Sequence, residues 1–162
     1  MKFEIENHFP TAGPEQVVEA ILNTKLQQEM YRQLGYEEWQ ETERQEEADG
    51  NLLRNLQITP RVDLPGFIRT ALGNSSRYRE SQIWAPDRLS YAWDVEFDLS
   101  SRIHMSGQCR FTADGDGCQR VISAECKVDV PLLGGRIAAY IRGETERTQN
   151  EAAAALARHL AG

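Results

Sequence analysis

The sequence predicts an α+β fold: a curved, antiparallel, seven-stranded sheet wrapped around a long C-terminal helix, with two short helices after the first strand and a short inserted helix near residues 64–73. Three observations carry this expectation. Apolar and polar residues alternate with period two in six segments after residue 36, separated by turn residues or by the inserted helix. Two helical stripes stand between the first strand and those segments. The chain then ends in one long helical pattern, and an antiparallel sheet with helices grouped this way must bury one face beneath it.

Phe3, Ile5 and Phe9 fall on one side of a first strand that ends at Pro10. In "AGPEQVVEAIL", Gly13 is placed to cap a helix whose first position is Pro14, with Val17, Val18, Ile21 and Leu22 on one stripe. Thr24 is the expected cap of the second helix; Leu26, Met30 and Leu34 recur at four-residue intervals and Gly35 stops it. "YEEWQETERQEE" and "NLLRNLQITPR" flank Ala48-Asp49-Gly50, a hairpin signal, and the acidic segment suits a solvated edge strand. In "VDLPGFIRTALGN", Asp63 as cap, Pro65 near the start and Gly73 as stop predict the inserted helix. Strands resume in "SRYRESQIW" and, after Pro86-Asp87, in "RLSYAWDVEFDL", where Leu89, Tyr91, Trp93, Val95, Phe97 and Leu99 share a face. "IHMSGQCRF" and "CQRVISAECKVDV" flank the turn from Asp114 to Gly117, and Pro131 is expected to open the final helix.

If Ala113 pairs with Cys118 across that turn, Cys109 lies opposite Ile122, Gly107 opposite Ala124 and Met105 opposite Cys126, all on one face. Small residues then occupy the middle of the face, with Tyr91, Trp93 and Phe97 beside them. On the final helix Ile137, Ile141, Thr145, Thr148, Ala152, Leu156 and Leu160 form a continuous stripe. Its second half is expected to be packed core, and its Ile137–Thr148 portion, with Tyr140, the lid of a pocket. Gly134, Gly135 and Gly143 at that end each cost roughly 1 kcal/mol relative to alanine, and are expected to let the lid approach neighbouring chain closely or bend. A dry void of roughly 300 Å³, the low end for ligand pockets, would cost on the order of 7 kcal/mol. Either water or a ligand fills such a hollow, or sheet and helix have collapsed together.

The 162 residues suit one domain, and 18 Lys+Arg against 25 Asp+Glu, a net charge of -7, leave no general attraction for nucleic acid or anionic lipid. "MKFEIENHFP" lacks the apolar run of a signal peptide and no later stretch resembles a membrane span, so a cytoplasmic protein without integral membrane association is expected. The three cysteines, Cys109, Cys118 and Cys126, suit reduced, small, apolar residues. Asp114, Asp116 and Glu125 have calcium-loop spacing, but Cys118 and Gln119 occupy positions five and six, which favours a hairpin turn and no metal site. His8, His104 and His159 fall on separate elements, and no GxSxG, P-loop or GxGxxG is present. Tyr91, Tyr140, Thr145, Thr148, Arg54 and Glu144 remain as polar handles for a pocket.

The element order, with "KFEIENHFPTAGPEQVVEAI" at the start and "VDVPLLGGRIAAYI" at the end, resembles the START-like (SRPBCC) helix-grip superfamily, which includes birch-pollen-allergen-like proteins, polyketide cyclases and lipid-transfer domains. "DLPGF" and "VPLLGG" are similar to a bacterial branch classed as a domain of unknown function. The resemblance implies a single ligand-binding domain over residues 1–162, with a cavity between sheet and C-terminal helix for a hydrophobic or amphipathic small molecule, lipid-like or aromatic. It implies no cofactor and carries over no catalytic residue. Tyr91, Trp93, Met105, Cys109 and Ile122 are expected to contribute from the sheet, Ile137, Tyr140, Ile141 and Thr145 from the lid, and Phe67 and Ile68 from a gate on the inserted helix. The alternatives are a cyclase- or hydratase-type enzyme using pocket tyrosines or Glu144 as acid or base, and a protein-interaction module marked by an exposed apolar patch from Phe67 to Leu72. These features do not specify an oligomeric state.

Overall fold

The computed structural model describes residues 1–61 and 63–162. The elements are β1 (Lys2–Phe9), α1 (Pro14–Ile21), α2 (Thr24–Gln33), β2 (Glu38–Glu46), β3 (Leu52–Thr59), α3 (Gly66–Leu72), β4 (Tyr78–Trp84), β5 (Ser90–Phe97), β6 (Ile103–Asp114), β7 (Gly117–Val128) and α4 (Gly134–Ala161). The seven strands form one curved antiparallel sheet in the order β1-β7-β6-β5-β4-β3-β2, with α4 across its concave face. This is the helix-grip architecture that the alternation pattern predicted.

The β6–β7 register is the predicted one: Ala113 pairs with Cys118, Cys109 with Ile122, Gly107 with Ala124 and Met105 with Cys126. Pairing continues to Asp114 and Gly117, so Gly115-Asp116 alone make the turn, with Gly115 at φ 58°. The calcium-like spacing thus belongs to a hairpin, and Glu125 lies well down β7, where it pairs with Lys127 at 3.4 Å.

Three helix starts differ from expectation. Asn23, not Thr24, caps α2: its Oδ1 accepts from the Leu26 amide at 3.1 Å, and asparagine is at least as good a cap as threonine. Thr24, released from that role, donates its hydroxyl to Glu41 Oε2 at 2.9 Å. Asp63 does not cap α3, because Pro65 is extended (ψ 150°) and the helix begins only at Gly66. Finally, α4 begins at Gly134; Leu132 adopts φ 69°, so Pro131 belongs to a turn that precedes the helix.

The room in the sheet lies elsewhere than Gly107, Ala124 and Cys126 suggested. A Cβ at Gly107 would meet Trp93 Cζ2 at 2.9 Å and the Ser123 carbonyl oxygen even more closely, so the Trp93 ring already fills the space that glycine leaves. Helix α4 packs most closely on β1 and β7. The hollow therefore opens mainly over β4, β5 and β6.

The α4 glycines divide the same way. A Cβ at Gly134 would stand 2.8 Å from the Val128 carbonyl oxygen, a close approach as expected, whereas Gly135 and Gly143 have no neighbour within 4 Å. Gly143 is an exposed helix-interior glycine with ordinary backbone geometry, so Gly143→Ala is expected to stabilise the protein by about 0.5–1 kcal/mol. Gly134→Ala is expected to destabilise it. Urea unfolding of the two variants checks this opposition of sign.

Candidate functional site

A cavity of about 150 Å³ lies between β4–β6 and the N-terminal half of α4. Its sheet side is built by the inward residues of β5 and β6, including Trp93, Val95 and Met105, and its helix side by the stripe that starts at Ile137. Leu64 and Ile68 close it from the α3 segment. Nine of the expected lining residues border it: Ile68, Tyr91, Trp93, Met105, Ile122, Ile137, Tyr140, Ile141 and Thr145. At about 24 cal/mol per Å³, such a space left dry would cost roughly 4 kcal/mol.

Two expected residues do not border it. Cys109 pairs with Tyr91 in the ladder, but its short side chain ends in the core, fully buried, and burial pushes its thiol up to about 11, which keeps it protonated. Phe67 is one residue, about 100° of helix rotation, away from the inward-facing Ile68. Its ring instead lies under the Arg136 guanidinium at 4.0 Å. Ile68 is buried and Phe67 and Leu72 are half-buried against the start of α4, so the exposed patch required by the interaction-module alternative is not formed. Among the polar handles, Thr145 and Thr148 donate their hydroxyls to Ile141 O (2.7 Å) and Glu144 O (2.9 Å), and Glu144 is held by Arg147 at 2.7 Å.

Beyond Tyr78, Glu80 and Tyr91 the cavity adjoins a second one of about 60 Å³, and Tyr36 and Gln149 also border both. This inner chamber is polar. Arg54 stands on its wall, 1% exposed, with Nε on Glu41 Oε1 at 2.7 Å and the Trp39 ring 5.4 Å from its guanidinium carbon. A bulge between Glu41 and Glu43 shifts the parity of β2 so that Glu41 and Arg44 share the Arg54 face, and Arg44 Nε also reaches Glu41 Oε1 at 2.9 Å. Part of the supposed solvated edge is thus an inward-facing ion cluster. Arg120 borders the same chamber, 6% exposed, and donates to Asn7 Oδ1 at 2.6 Å and 3.2 Å.

Glu80 was not among the expected residues. It accepts from Gln82 Nε2, whose own Oε1 accepts from Trp84 Nε1 at 2.9 Å. The signal was present in "YRESQIW": Tyr78, Glu80, Gln82 and Trp84 share one parity, so two polar residues lie on an aromatic, inward face. Burial raises the Glu80 carboxyl above its ordinary range, against the opposing effects of Gln82 and Arg54. The folded state therefore holds the Glu80 proton more tightly than the unfolded chain. Its contribution to stability is complete below the unfolded value of about 4.3 and is lost as pH rises through the folded value. Glu80→Gln is accordingly expected to gain stability relative to the parent between pH 4 and pH 8, measured as the shift in urea midpoint.

The family described as "Protein of unknown function (DUF2505)" matches residues 4–160. The chain belongs to that family. No curated protein matches this DUF2505 chain in sequence. Among solved structures, TTHA0849 from Thermus thermophilus is similar to it at TM-score 0.71 and 16% identity, covering 99% of this chain and 97% of that one. The Zhui aromatase/cyclase from Streptomyces sp. R1128 is similar at TM-score 0.66 and 16% identity, over 99% and 93% of the two chains. Ara h 8.0201 is similar at TM-score 0.63 and 14% identity, over 99% and 97%. At these identities the likeness establishes that the DUF2505 chain shares their fold. Among its described residues no helix is long and apolar enough to cross a membrane.

Proposed function

We propose that residues 1–162 form a single ligand-binding domain that holds a hydrophobic or amphipathic small molecule between the sheet and α4. The observation that carries this reading is the pair of adjoining cavities, apolar beneath the helix and polar behind Glu80. A void of that size is unfavourable when empty, and ligand sites combine apolar walls with a few placed polar groups. Native mass spectrometry of the purified protein, with titration of an apolar fluorescent probe, tests it. Saturable one-to-one binding is expected; absence of binding by every apolar probe defeats the proposal.

Glu80 favours a second reading, an enzyme acting on such a ligand. One of the proteins sharing the fold is named an aromatase/cyclase, and a carboxyl that burial raises above its ordinary range suits a general acid. Incubating the retained ligand with the protein separates the two. Release of the ligand unchanged supports a carrier; conversion that Glu80→Gln abolishes supports an enzyme.

A further inference from the structure

The inner chamber is walled by two buried arginines, Arg54 and Arg120, and by Glu80. Glu41 is shared between Arg44 and Arg54, so one carboxylate faces two guanidinium groups. Arg120 is hydrogen-bonded to Asn7 and to the Gln149 carbonyl and forms no ion pair among the described residues. Arg54 also keeps Nη2 buried without any hydrogen-bond partner, a cost that a folded protein rarely leaves unmet. Two buried arginines on the wall of one small cavity, one with an unused donor and one without a counter-ion, are groups that an entering anion would satisfy.

We propose that the ligand is an aryl carboxylate whose ring occupies the outer chamber and whose carboxylate enters the inner one, accepting hydrogen bonds from Arg54 and Arg120. This rests on the ligand-binding reading above and adds the chemistry of the ligand. The outer space, about 150 Å³, has the size of an apolar cavity that takes up benzene. The inner space, about 60 Å³, accommodates a carboxylate with little room beyond it. Glu80 lies at the border of both, and burial raises its carboxyl, which favours the protonated form that donates to an incoming anion over the carboxylate that repels it.

Calorimetric titration of the full chain with 3-phenylpropanoate and with 3-phenylpropan-1-ol at pH 7 tests the proposal. The acid is expected to bind on the order of tenfold to a hundredfold more tightly than the alcohol, because its hydrogen bonds are charge-assisted. Arg120→Gln and Arg54→Gln are each expected to bring that ratio towards one. Should Arg54→Gln fail to fold, the parent ratio and Arg120→Gln still decide. Equal affinities for acid and alcohol in the parent protein overturn the carboxylate proposal while leaving the ligand-binding reading intact. If neither compound binds, nor any other apolar probe, that underlying reading falls first and takes this one with it.

Discussion

Glu41→Ala is expected to lower the free energy of unfolding by about 3–5 kcal/mol, the cost of removing one partner from a buried ion pair. Arg54 is 1% exposed and the Glu41 side chain 13%, so water cannot replace the lost carboxylate at the guanidinium. The variant also abandons Arg44 Nε and the Thr24 hydroxyl, both held by the same carboxylate at 2.9 Å. Glu43→Ala is the control, because Glu43 lies on the outer side of the β2 bulge, exposed, and its loss is expected to stay within about 0.5 kcal/mol. Acid should narrow the difference. Burial alone would raise the Glu41 carboxyl, but hydrogen bonds from Arg54, Arg44 and Thr24 outweigh it and hold the group below its ordinary range. Its stabilisation is therefore present above the unfolded value of about 4.3 and lost as pH falls through the folded value. Urea unfolding of parent and variant at pH 7 and at pH 3 measures both effects. A loss under about 1 kcal/mol at pH 7 would mean that the pair behaves as a hydrated surface bridge, and that the inner chamber is not the low-dielectric site described above.

What the sequence made legible was the part of the fold governed by short-range rules. The period-two run from Leu89 to Leu99 and the turn at Asp114–Gly117 determine which side chains share a face, and the β6–β7 register followed from counting residues outward from that turn. The position of the hollow did not follow, because it depends on where a large ring comes to rest. Gly107 announces a gap in one strand, and the Trp93 ring from the next strand fills it. The polar chamber was hidden for a related reason. Glu41 reaches the interior only because the bulge at Glu41/Glu43 breaks the alternation of an otherwise exposed, acidic strand. Thr24 joins it only because Asn23 takes over the capping role. Arg54 was among the expected polar handles, and Glu80 and Gln82 carried a local signal, two polar side chains in phase with Tyr78 and Trp84.

Thr145→Phe should raise stability and weaken ligand binding in the same molecule. Thr145 borders the outer chamber from α4, and its hydroxyl is turned back to Ile141 O at 2.7 Å, a bond that helices do not need and that tends to bend them. Phenylalanine at this position places a ring in a space of about 150 Å³ without removing any tertiary hydrogen bond. Filling a cavity commonly stabilises by about 0.5–2 kcal/mol. The same ring excludes a ligand of similar size, so apolar-probe affinity is expected to fall at least about tenfold, equivalent to 1.4 kcal/mol. Thermal unfolding and probe titration on one preparation read the two quantities. The opposition of sign is the discriminating feature: a mere packing defect predicts a gain in stability with no binding to lose, and a rigid, fully packed core predicts destabilisation from overpacking. Only a space kept open for an occupant makes the better-packed variant the poorer binder.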